Sequence, residues 1–148
     1  MAKGLAREAR RTILTHLKAD TSITDLVAAT SIYSQTTPTT KVWPFIKMGA
    51  FSSVPLRVRG CVDGAEIRAT VHAFAKSTFN GAGGKTADAE DNIDALAKAI
   101  EASLDYQRKA ITGGNITFSW LNTIPLIDNG EDDAFHAVID FRGRILAA

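Results

Sequence analysis

The sequence predicts an α+β fold, an antiparallel or mixed β-sheet of about four to five strands with an N-terminal helix and one long helix packed on one face. Two stretches carry apolar residues at helical spacing, whereas most of the rest alternates apolar and polar residues. Outside the unit from Glu66 to Leu104, the alternating stretches follow one another through turns and not through crossover helices, which disfavours a purely parallel sheet. The 148 residues read as a single domain, 1–148, without repeats or linkers.

Leu5, Ala9, Ile13 and Leu17 recur every fourth residue, so residues 3–19 form an amphipathic helix. Arg7, Arg10, Arg11 and Lys18 make the remainder of that helix basic, as a solvated face or as a docking surface for an acidic partner. Ser22-Ile23-Thr24-Asp25 resembles a capping box, with Asp in place of Glu, and opens a short helix to about Ala29. Ser34 to Lys41, around Pro38, is a loop. Trp43–Met48 and Pro55–Val62 are strand candidates, with Pro44 and Pro55 at strand starts or edges because they cannot donate to a ladder.

From Ile67 the alternation is clean. Ile67, Ala69, Val71, Ala73 and Ala75 share one face, opposite Arg68, Thr70, His72 and Phe74. The glycine-rich Asn80-Gly81-Ala82-Gly83-Gly84-Lys85-Thr86 ends like a phosphate-binding loop. Its first glycine position, however, is Phe79, whose side chain obstructs the close backbone approach that such a loop needs. The segment is therefore expected to be a flexible strand-to-helix connector. Thr86 is the expected N-cap of the long helix, and Ile93, Leu96, Ala97, Ile100 and Leu104 form its buried stripe. Asp94, Lys98, Glu101 and Asp105 face water, and Arg108 and Lys109 fall near its C-terminal end. Gly113-Gly114 breaks the chain. Strands then cover Ile116–Leu121 and Thr123–Ile127, an acidic turn spans Asp128–Asp133, and Phe135–Arg142 forms the last strand.

Net charge +1 gives no general attraction to nucleic acid or an anionic membrane. Cys61 is the only cysteine, which rules out an internal disulfide and reads as a small buried hydrophobe. No stretch approaches the ~18 consecutive apolar residues of a membrane span, and the N-terminus lacks a secretory apolar segment. His16, His72 and His136 show no metal-ligand spacing. The acidic turn fails the calcium-loop pattern because Gly130 comes too early. The sequence presents no catalytic constellation, cofactor motif or metal site.

Several pieces together resemble a known family: Ile32-Tyr33 after a short helix, Pro44-Phe45-Ile46-Lys47-Met48-Gly49 after a polar loop, and the block Val71–Leu104. The order of elements from Leu5 to Ile145 is similar to the tail-completion or tail-terminator proteins of long-tailed, siphovirus-like phages and gene transfer agents. The resemblance implies a non-enzymatic protein that assembles as a ring, usually a hexamer, and caps the last ring of tail-tube subunits. It also implies a joining surface for head-completion (neck) proteins, with DNA passing through the lumen without sequence-specific binding. Neither a cofactor nor a membrane is implied. The place implied is the head-proximal end of the virion's tail, after synthesis in the bacterial host cytoplasm. Another neck role, head-completion or stopper protein, is the neighbouring reading, and a nucleotide-binding enzyme using Gly81–Thr86 is the reading from a different class. The charge pattern, not the family, nominates Arg7, Arg10 and Arg11 on the first helix and Asp94 and Glu101 on the long helix as subunit or partner contacts.

Overall fold

A computed structural model describes residues 4–58, 61–112, 114–128 and 130–147, with the side chains of 58, 61–63, 146 and 147 excepted. Lys3, the Cys61 side chain, Gly113 and Asn129, to which the sequence assigned roles, lie outside the described residues.

The expected first helix is α1, Leu5–Ala19, with Leu5, Ala9, Ile13 and Leu17 buried as its four-residue spacing requires. Next comes α2, Thr21–Thr24, capped by Asp20 and not by Ser22. The Asp20 carboxylate accepts hydrogen bonds from both the Ser22 amide and the Ser22 hydroxyl, so Ser22 supports the cap without being it. This helix also stops short of Ala29, where a 3-10 turn, Ala29–Ser31, leads into β1, Ile32–Tyr33.

The two strand candidates after the polar loop are one strand, β2, Phe45–Val58, bent by irregularities at Met48/Phe51 and Leu56/Arg57. Pro55 is tolerated inside it because only β3, Cys61–Lys76, pairs with β2 at that level. A small ribbon follows, β4 Thr78–Phe79 with β5 Lys85–Ala87. The long helix is α3, Ala89–Leu104. Asp88 occupies its N-cap position, because Thr86 is taken into the ribbon, and the Ala89 amide donates instead to Ser77 Oγ.

Arg108 and Lys109 are not at a helix end. Tyr106, in the left-handed region, turns the chain out of α3, and Arg108–Ile111 forms strand β6. The two later strand candidates merge into β7, Gly114–Ile127, and the last strand is β8, Ala134–Ala147. The sheet thus has six strands, in the order β1-β2-β3-β8-β7-β6, and not four to five. Only β1 and β2 are parallel. The extra members are β1 and β6, both too short to show a period of two.

One face of this curled sheet is covered by helices. α3 packs on β3, β8 and β7, while α1 touches β1, β2, β3 and β6. Ile13, Leu17, Ile46, Met48, Ile67, Val71, Ile100, Phe118, Ile139 and Phe141 form the core between them, all 0% exposed. Gly143 belongs to this packing, since a Cβ there would come within 2.7 Å of Ile116 and 3.1 Å of Phe118.

Candidate functional site

Among the described residues the other face of the sheet has no helix on it, and strand register sorts its side chains into rows. One row runs Phe45, Phe74, His136, Leu126, and the next Lys47, His72, Val138, Ile124. Toward the opposite strand ends come Ser52, Arg68, Arg142, Ser119, then Val54, Glu66, Arg144, Thr117. The open face is therefore aromatic and apolar at one end and rich in arginine at the other.

At the aromatic end, Phe45 stacks on Phe74 at 4.5 Å and Phe74 on His136 at 4.2 Å. Trp43 meets Phe45 edge-on, and Lys76 lies 4.5 Å above the Trp43 ring. His72 Nδ1 and His136 Nε2 are 2.7 Å apart, so one donates a hydrogen bond to the other. Burial, with Lys47 adding to it at both rings, holds both histidines below the ordinary imidazole pKa, and each is further influenced by nearby charges. A Cβ on Gly49 would meet His72 Nε2 at 2.6 Å, so the glycine of the Pro44–Gly49 segment makes room for this ring.

A second polar cluster joins α1 to α3. His16 Nε2 lies 2.9 Å from the Ser103 carbonyl oxygen and 3.0 Å from Ser103 Oγ, so that nitrogen carries the proton. The Ser103 hydroxyl in turn donates to Asp20. This bond, then those from Ser22, hold the Asp20 carboxyl below its usual range. The three residue types are those of a hydrolytic triad, but the order is wrong. Serine sits between the other two and gives its proton to the carboxylate, so histidine does not take it. The cluster is a polar staple between two helices.

The glycine-rich loop lies in the expected strand-to-helix connection, where it forms the turn of the β4–β5 ribbon. Asn80 Oδ1 accepts from Ala82 N and Gly84 N, at 3.0 and 2.8 Å, which occupies amides that a phosphate would require. Lys85 pairs with Asp88 at 3.1 Å.

Two charged surfaces remain. On α1, Arg7, Arg11 and Lys18 form an exposed stripe, and Lys109 of β6 joins Arg11 in lining a shallow pocket beside it. Helical phase moves Arg10 off that stripe, where it is half-buried with its Nε lacking a hydrogen-bond partner. The contribution of Lys109 was hidden from the sequence by its placement at a helix end. Asp94 and Glu101 come together in a groove of about 430 Å³ between α3 and β7, with Glu90 and Asp91 on its rim and Ile93 and Pro125 among its apolar lining. Asp94 pairs with Lys98 at 2.7 Å, and Glu101 accepts a hydrogen bond from Thr123. Among the described residues, none of Arg7, Arg10 and Arg11 forms an ion pair with α3. Lys109 is level with Ile116, and Pro125 lies nine residues further along β7, so ridge and groove are roughly 30 Å apart by strand rise.

Residues 11–146 match the family described as Tail completion protein gp17. Among solved structures, a chain from the virion of a native gene transfer agent particle superposes with a TM-score of 0.76 at 16% identity, covering 99% of this chain and 100% of that one. A second solved chain superposes with a TM-score of 0.58 at 12% identity, covering 100% and 98%. At these identities the likeness carries the fold. No curated protein sequence matches the chain.

Proposed function

The chain belongs to the tail completion protein gp17 family, a structural component of phage-type tails, and from that premise we propose that it acts as the tail terminator. On this reading the whole chain is one tail-terminator-like domain that assembles as a hexameric ring on the last ring of tail-tube protein. The ring then presents the joining surface for a head-completion protein at the head-proximal end of the tail. DNA passes through its lumen without being read.

The observation that carries the reading is the family match over residues 11–146. The placement of charge supports it. A basic ridge and an acidic groove that form no ion pair with each other among the described residues, on different parts of the molecule, suit a heterologous contact that closes by rotation. Arg7, Arg10 and Arg11 of one subunit then face Asp94 and Glu101 of the next. Exposed ion pairs contribute only ~0.2–1 kcal/mol each. They set register, and apolar contacts supply the affinity.

Imaging of intact particles tests the assignment: six copies are expected at the head end of the tail, and density in the baseplate or capsid lattice would overturn it. Reversing Arg7, Arg10 and Arg11 to Glu is expected to weaken joining of tails to heads more than it lowers the melting temperature. Equal joining by parent and variant at low and high salt would remove these residues from the contact.

A further inference from the structure

Both edges of the six-stranded sheet are stepped. β1 covers β2 only at Ile46 and Lys47. Register carries that level through Ala73 and Ala137 to Pro125, and through His72 and Val138 to Ile124. At the other edge β6 covers β7 only from Gly114 to Thr117, and Thr117 is level with Val54 of β2. Each edge thus carries a short extra strand at the level where the opposite edge has none.

On β7 the uncovered stretch is Leu121–Ile127, beside which no strand lies among the described residues. Leu121, Ile124, Leu126 and Ile127 are 40, 45, 46 and 69% exposed. An edge with unpaired backbone and large exposed apolar side chains is a pairing site, and folded proteins usually blunt or cover one. Alternate residues of the stretch bond to β8, so Pro125 forfeits at most one edge donor and leaves the carbonyls and amides of the other outward-facing residues.

Edge shape and strand direction identify the occupant. On its helix side the bare β7 edge borders the acidic groove of Asp94 and Glu101. α1 touches both edges of the curled sheet, β1 and β2 on one side and β6 on the other. Helical phase sets Arg10 and Leu14 on the flank away from Glu8, Thr12 and His16, of which Glu8 binds Thr112 and His16 binds Ser103. That leaves Arg10, with its unpartnered Nε, on the flank nearer β1 and β2. Direction fits as well. β1 runs with β2, and three antiparallel steps separate β2 from β7, so β1 and β7 run oppositely. A copy related by rotation, with its helices on the same side, brings an antiparallel β1 to the bare edge of β7.

We propose that the bare β7 edge, Leu121–Ile127, with the acidic groove beside it, receives the β1–β2 edge of a second copy. The neighbour's β1 adds as a strand, and Tyr33 comes level with Ile124. The inference rests on the ring reading above and specifies the surfaces that close the ring.

Disulfide trapping tests it. In a Cys61→Ala background, Tyr33→Cys and Ile124→Cys are introduced singly and together, and particles carrying them are oxidised. Each single variant is expected to remain unlinked. The mixture of the two should give dimers, and the double variant a ladder that ends in a closed species. Six copies seen at the tail end without linkage through this pair would overturn the contact and leave the ring standing. Copies found elsewhere in the particle would overturn the ring itself. Linkage confined to single chains also overturns the contact.

Discussion

On the helix-covered face of the sheet, Ile67, Val71, Phe118, Ile139 and Phe141 are fully buried. One pleat away on the same strands, Arg68, His72, Phe74, His136 and Arg142 point to the face that has no helix. Both faces arise from the same alternation. The covered face is apolar where α1 and α3 exclude water from it, and polar only near its margins, as at Thr123. The open face is graded, with a packed aromatic and histidine end and an arginine end that is solvated. Within one chain the covered face is complete, whereas the assembly proposed above draws on the bare edge of β7. Stability should therefore reside mainly in the first and assembly in the second.

The largest way to break that contrast is at its buried end. Phe118→Ala removes a fully buried ring and is expected to cost about 3–5 kcal/mol, read as a fall of roughly 10 °C or more in melting temperature. A smaller loss would mean that the covered face relaxes around the cavity.

Next comes Phe74→Ala, which deletes the middle ring of the Phe45–Phe74–His136 stack on the open face. Half-burial and four ring contacts suggest about 1–2 kcal/mol, measured by urea unfolding. A cost equal to that of Phe118→Ala would erase the distinction between the faces.

The histidine pair sharpens the comparison through pH. His72 and His136 have folded-state pKa values below 6.5. Between the folded values and 6.5 the unfolded chain binds more protons, so stability rises with pH across that window. The contribution is complete above about 6.5 and is lost as pH falls through the folded pKa values. Replacing both residues with Gln is expected to flatten the melting temperature over this range. Asp20, also lowered, adds a separate loss that begins only below 3.8. An unchanged profile in the double Gln variant would mean that these rings titrate alike in both states.

The smallest effect belongs to the arginine end. Arg68 pairs with Glu66 at 2.9 Å but its side chain is 55% exposed. Arg68→Ser should alter stability by no more than about 0.5 kcal/mol. A larger loss by thermal melting would show that this end, too, is part of the chain's own packing.

The elements with a clear period were legible in the sequence. α1 and α3 follow from their buried stripes, β3 and β8 from alternation, and the two helices share a face because they are the only apolar stripes available to cover the sheet. Less legible were β1 and β6, since two to four residues show no period and Arg108 and Lys109 suit a helix C-terminus equally well. Strand pairing with β7 decided between those states. The same holds for Thr86, a good N-cap by residue type, which was drawn into a ribbon while Asp88 took its place.

By itself the sequence determined which side chains face inward, because period and hydropathy are local properties that survive any arrangement of the elements. It also marked Arg7, Arg10 and Arg11 as basic and Asp94 and Glu101 as acidic. Only the tertiary structure decided which of these meet. His72 and His136 are separated by 64 residues, Asp20 and Ser103 by 83, and Glu101 and Thr123 by 22. Each pair is made by strand register or helix packing that no local pattern encodes. The bare edge of β7 is likewise a property of the sheet, because whether an edge is covered depends on where every other strand ends.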